Sequence, residues 1–98
     1  MALDKTLLRF NRLIDKKVIL AIPIQTIVSA YLDLEPREKK TFLGTCPFCN
    51  EQKFYVYTSS NRFYCFQCLM RGDGINFIMG VEKLDFKDAI SFIAAKFL

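Results

Sequence analysis

The sequence predicts an α+β fold, a small antiparallel β-sheet flanked by N-terminal and C-terminal helices. Three observations carry this. Two Cys-x-x-Cys pairs, Cys46/Cys49 and Cys65/Cys68, stand fifteen residues apart. An aromatic and β-branched segment with a polar break lies between them. On both sides apolar residues recur at helical spacing. With 98 residues the chain is expected to form one domain, 1–98, with a helical extension at 1–22 and the sheet with its flanking helices at 23–98.

In chain order, Leu3, Leu7, Phe10 and Ile14 form one helical stripe, with Lys5, Arg9, Arg12 and Lys16 largely off it. The stripe is read as intramolecular packing and the basic residues as a solvated face. Pro23 suits the first turn of a second helix, where Ile24, Ile27, Val28 and Tyr31 follow the i, i+3, i+4, i+7 rule. Glu35 to Lys40 is polar and reads as a turn into Thr41-Phe42-Leu43. Lys53 to Thr58 and Arg62 to Tyr64, joined by Ser59-Ser60-Asn61, describe a β-hairpin. Alternation sets Phe54 and Val56 on one face, Tyr55 and Tyr57 on the other. Phe54, Val56, Phe63 and Phe66 are expected in the core. Asp73 is placed to cap a helix over Ile75–Met79 that Gly80 ends. Asp85 caps the last helix, whose inward stripe is Phe86, Ala89 or Ile90, Ile93 and Phe97.

The four cysteines are the only ones, and there is no histidine. A structural Zn²⁺ takes four soft ligands in a tetrahedron, and two Cys-x-x-Cys knuckles supply them without remainder. Cys46, Cys49, Cys65 and Cys68 are therefore read as ligands of one structural zinc, and the fold as a small zinc ribbon with two zinc knuckles. With every position filled, no site is left for water or substrate. A thioredoxin-like dithiol, an iron–sulfur cluster and a pair of disulfides are the competing readings of the same spacing. Metal binding would also supply stability that so small a core lacks.

Apolar residues make up 52% of the chain, ten of its residues being Phe, which marks the chain as globular rather than disordered. No apolar run approaches the ~20 residues of a membrane span, and the N-terminus lacks the features of a secretory signal. A reducing, cytoplasmic setting is expected, with no membrane partner. The net charge is +4, and its excess lies mainly before Cys46. That balance permits a nucleic-acid partner.

Ile24-Gln25-Thr26-Ile27-Val28-Ser29-Ala30-Tyr31-Leu32, Cys46-Pro47-Phe48-Cys49 and Phe63-Tyr64-Cys65-Phe66-Gln67-Cys68 together resemble the zinc-binding domain of bacterial DnaG-type DNA primases. Gly72-Asp73, Phe77-Ile78-Met79 and Asp85 to Ile90 are similar to that domain's helical tail. The resemblance spans roughly residues 20–97. Cys49 stands where the family usually has His, the linking hairpin is shorter, and Leu69 stands where Gly usually follows the last ligand. These departures imply a diverged branch, with a mobile element as the expected source.

The resemblance implies a domain that binds single-stranded template DNA and helps choose primer start sites, while a separate domain joins nucleotides with Mg²⁺. The ten acidic residues here are scattered and form no cluster for two Mg²⁺. The chain is thus expected to be non-catalytic by itself, either an excised domain or a stand-alone relative. Stacking and backbone neutralisation name the candidate DNA contacts: Tyr55, Tyr57 and Tyr64 for bases, Lys53, Arg62, Arg37, Lys39, Lys40 and Arg71 for phosphates. The same tyrosines can instead cover the sheet or pack on the N-terminal helices. Two rival functions share the sequence: a module that docks onto a replicative helicase or a separate primase catalytic domain, and a dithiol oxidoreductase.

Overall fold

The computed structural model describes residues 16–98. The stripe Leu3, Leu7, Phe10 and Ile14 lies outside the described residues. The elements are α1 (Lys16–Leu20), α2 (Ile24–Val28), β1 (Glu35–Pro36), β2 (Thr41–Gly44), β3 (Phe54–Tyr57), β4 (Arg62–Cys65), β5 (Arg71–Gly72), α3 (Gly74–Glu82) and α4 (Phe86–Phe97). The strands form one antiparallel meander in the order β1-β2-β3-β4-β5.

Alternation works as expected on the central strands. Phe54 pairs with Cys65 and Val56 with Phe63, and all four are buried. Phe54 and Phe63 stack with ring centroids 5.1 Å apart, and Phe77 of α3 stands 5.8 Å from each. Ile19 of α1, Ile24, Ile27 and Val28 of α2, Ile75 and Ile78 of α3 and Ala89, Ile93 and Ala94 of α4 pack into the same core. Tyr31 lies past the end of α2, where its ring packs edge-on against Phe77 and its hydroxyl donates to Glu82 Oε2 at 2.6 Å. Burial, reinforced by the Glu82 carboxylate, pushes the Tyr31 phenol well above its ordinary value, so the hydroxyl stays a donor.

Both expected caps form. The Asp73 side chain accepts from Asn76 N–H while Asn76 Oδ1 accepts from Asp73 N–H, each at 3.0 Å. Asp85 accepts from Asp88 N–H at 2.8 Å. Gly72 precedes the first cap at φ +151, and a Cβ there would sit 2.4 Å from Asn76 Oδ1.

Four expectations need correction. Gly80 does not end α3, which runs on to Glu82 and stops at Lys83 in the left-handed conformation, φ 56. Gly80 serves close packing: a Cβ on it would come within 2.6 Å of the Phe48 ring from the first knuckle. Glu35-Pro36 is a short edge strand, because Glu35 and Pro36 pair with Leu43 and Phe42. Phe86 is exposed at the first turn of α4, with Lys16 Nζ 5.6 Å from its ring centre. Phe66 is also outside the core, at 56% exposure. It follows Cys65 by one residue, so the strand's own alternation turns it outward with Tyr64.

Candidate metal centre and nucleic-acid face

The two knuckles repeat one backbone design. Phe48 N–H points at Cys46 Sγ and Gln67 N–H at Cys65 Sγ, both at 3.4 Å. Asn50 N–H donates to Cys46 O at 2.8 Å, and Leu69 N–H to Cys65 O at 2.9 Å. Asn50 and Leu69 accordingly take left-handed φ values of 64 and 67. That geometry explains why glycine is the easy choice after the second ligand, and it makes Leu69 a strained residue.

The turns bring all four sulfurs together. Their ligand atoms lie within 4.8 Å of one another. Cys46 Sγ is 3.7 Å from Cys68 Sγ, and Cys49 Sγ is 3.6 Å from Cys65 Sγ. A tetrahedral site with Zn–S of about 2.3 Å has sulfur–sulfur edges of about 3.8 Å, so the fit is close. The two Cys-x-x-Cys pairs are therefore one four-sulfur metal site and not two separate dithiols. A zinc held here would have no open position. Cys46 and Cys65 are buried, Cys49 and Cys68 half-buried. Burial pushes the Cys46 thiol up, against the pull of N–H groups from Phe48 and Cys49. At Cys65 burial also raises the value. N–H donation from Cys68 and Gln67, with the neighbouring thiols of Cys49 and Cys68, outweighs it and brings the thiol down to about 7.

The outer face of the sheet carries the tyrosines. Leu43, Tyr55, Tyr64 and Arg71 are successive cross-strand partners, as are Thr41, Tyr57 and Arg62. The Tyr55 and Tyr57 rings are nearly parallel, 15° apart in plane with centroids 6.3 Å apart. Both are half-buried, as is Tyr64. Burial, with Tyr55 and Tyr64 nearby, raises the Tyr57 phenol, which is therefore neutral at physiological pH. An open groove runs along this face, lined by Pro36, Arg37, Glu38, Lys39, Thr41, Lys53, Tyr55, Tyr57 and Phe66. Arg37, Lys39 and Lys53 thus share one concavity with two of the tyrosines. Arg62 and Arg71 flank it through the register. Lys40 does not join them. It lines a second depression with Pro23, Gln25, Phe42 and Asn61, because consecutive left-handed residues, Lys39 at φ 49 and Lys40 at φ 58, turn the chain at that point.

Two residues of this region were not picked out from the sequence as site residues. Phe66, expected in the core, belongs instead to the groove: its N–H donates to Lys53 O at 3.0 Å, which continues the β3–β4 pairing by one residue and sets its ring on the face of Tyr64. Asn61 was read only as part of a polar loop. Its left-handed φ of 58 at a hairpin tip is a conformation Asn favours. Among the described residues no helix is long and apolar enough to cross a membrane.

Known proteins are similar to this chain in sequence and in fold. The model of the CHC2 zinc finger, the zinc ribbon of DnaG, matches residues 11–98. The chain is 37% identical over 78 residues to DNA primase of Streptomyces coelicolor, covering 78% of this chain and 12% of that protein. To DNA primase of Helicobacter pylori J99 it is 34% identical over 83 residues, covering 83% of this chain and 15% of that one. It therefore spans only a small part of these relatives' length. Among solved structures, the Aquifex aeolicus primase, comprising zinc-binding and RNA polymerase domains, superposes with a TM-score of 0.76 at 30% identity. That match covers 83% of this chain and 21% of the other. Four sulfurs set for one metal ion, a five-stranded meander and a match over nearly the whole sequence lead to one assignment: the chain belongs to the CHC2 zinc-finger family, the DnaG-type primase zinc ribbons.

Proposed function

We propose that this chain is a DNA-binding zinc ribbon that holds single-stranded template DNA during primer synthesis in replication, and that it does not itself join nucleotides. One observation carries the reading: the parallel Tyr55 and Tyr57 rings line the same open groove as Arg37, Lys39 and Lys53. Stacking faces beside cations are what a flexible, unpaired strand requires, since every base has a π-face and every linkage a negative charge. The zinc acts at one remove. It would tie the knuckle between β2 and β3 to the knuckle between β4 and β5 and so fix the sheet that presents the tyrosines. The joining of nucleotides belongs to a separate polymerase domain, of the kind that the Aquifex protein carries beside its zinc-binding domain.

The test is titration of the zinc-loaded chain with a labelled single-stranded oligonucleotide at two salt concentrations. Three groove cations predict a plot of log affinity against log salt with a slope of about −2, at roughly −0.7 per phosphate neutralised. The Tyr55→Ala/Tyr57→Ala double variant should bind at least ten-fold more weakly with its zinc content unchanged, given about 1–3 kcal/mol per stacked base. Failure to bind at low salt, or binding indifferent to salt, would sink the proposal. A chain that ignores DNA but copurifies with a helicase or polymerase domain would point to the docking role instead.

A further inference from the structure

We infer that Phe66, inside the second zinc knuckle, is a third base-stacking residue, so that the metal turn forms part of the DNA-binding surface. This inference rests on the single-stranded DNA reading above and extends it. Phe66 is 56% exposed, which folding does not require of it. Leu69 and Met70 of the same turn are exposed as well, at 62% and 39%. An apolar cluster left in water at one place marks a contact surface. What it contacts is indicated by its neighbours. Phe66 lines the groove that holds Arg37, Lys39 and Lys53 beside a single acid, Glu38, and this positive balance suits an anionic strand and not an apolar helix. Lys53 Nζ also reaches Gln67 Oε1 of the knuckle, at 3.4 Å, which joins the cationic wall to the metal turn.

Ring geometry sharpens the inference. Phe66 packs edge-to-face on Tyr55, at 5.4 Å and 86°, and on Tyr64, at 4.5 Å and 73°. Tyr55 and Tyr57 are nearly parallel to each other. A base lying on Phe66 therefore stands nearly perpendicular to one lying on Tyr55. The bound strand turns a corner between the two, which a single strand does readily and a duplex does not. The corner exists only while the knuckle is closed, since Phe66 sits between two of the four ligands, Cys65 and Cys68.

Three substitutions at Phe66 test this, each checked for zinc content, with the oligonucleotide titration as readout. Phe66→Ala and Phe66→Leu should both weaken single-strand binding about ten-fold while leaving the salt slope unchanged, because a stacking face is lost and no phosphate contact is. Phe66→Leu keeps apolar bulk, so wild-type affinity in that variant would reduce Phe66 to packing and overturn the inference. Phe66→Trp should retain affinity. The chain has no native tryptophan, so the introduced indole should be quenched as DNA saturates. An unquenched indole at saturation overturns the inference, as does a duplex that competes as well as a single strand of equal length. If the wild type binds DNA and the Phe66 variants bind equally well, only this inference falls. If the wild type binds no DNA at all, the reading beneath it falls too.

Discussion

Asn61 is the residue whose loss should be felt most widely for its size. From the tip of the β3–β4 hairpin its Oδ1 accepts from Ile24 N–H at 2.8 Å, and its Nδ2 donates to Leu20 O at 2.8 Å and Ile22 O at 2.9 Å. These partners are the end of α1, the start of α2 and the link between them. Helix ends leave backbone groups without intrahelical partners, and Pro23 provides no side-chain cap to α2. One amide thus serves both ends and ties them to the sheet. Losing three partly buried hydrogen bonds should cost about 2 kcal/mol, at roughly 0.5–1.5 each with some replacement by water. A further ~1 kcal/mol is added when a residue other than Gly or Asn must hold φ 58. Asn61→Ala is therefore expected to destabilise by about 3 kcal/mol and Asn61→Gly by about 2, a large share of the 5–15 typical of a domain. Asn61→Asp keeps the shape but turns an oxygen toward two carbonyls, and should be no better than Ala. Urea unfolding of the zinc-loaded chain measures this, with the midpoint falling at constant m. An Asn61→Gly variant within about 0.5 kcal/mol of wild type would refute the hydrogen-bond argument, since surface changes commonly fall in that range. Equal stability of the Ala and Gly variants would refute the backbone argument.

Leu69→Gly should stabilise the zinc-loaded chain by up to about 1 kcal/mol, because it relieves a left-handed φ at an exposed position, offset partly by unfolded-state entropy. A thermal melt checks it. Gly80→Ala should do the reverse: a clash at 2.6 Å with the Phe48 ring outweighs the ~1 kcal/mol gain in helix propensity, and zinc release to a chelator should quicken. Zinc affinity should fall as pH drops through neutrality, by about one log unit per pH unit for each thiol proton displaced. The sign follows from the ligand state, since metal needs thiolate and acid restores thiol. Cys46, raised by burial, must give up its proton on binding at neutral pH, whereas Cys65, at about 7, is already partly ionised. Calorimetry in buffers of different ionisation enthalpy measures the proton release.

Chemistry confined to a few adjacent residues was legible in the sequence. Cys-x-x-Cys spacing is a property of a single turn, so the ligands could be named without the fold. Asp73 and Asp85 cap their helices through bonds to Asn76 and Asp88, three residues on, which sequence also reveals. Alternation separated Phe54 and Val56 from Tyr55 and Tyr57 because period two is built into an extended chain. Phe66 shows where one local signal overrode another. Its hydrophobicity argued for the core, and its place one residue beyond Cys65 argued for the surface.

What the chain determined by itself, then, was a four-cysteine metal site and the two faces of a sheet. Tertiary structure decided which distant residues share a surface. Arg37 and Lys39 meet Tyr55 and Tyr57 only because β1 and β2 fold back beside β3, while Lys40, next in sequence, is turned to the other side. Gly80 became a seat for Phe48, and Asn61 a clasp for two helix ends, through contacts spanning 32 and up to 41 residues. Such roles depend on pairings that no local period encodes. Turn geometry and alternation act within a few residues, whereas a groove is made by strands and loops that meet only when the core closes.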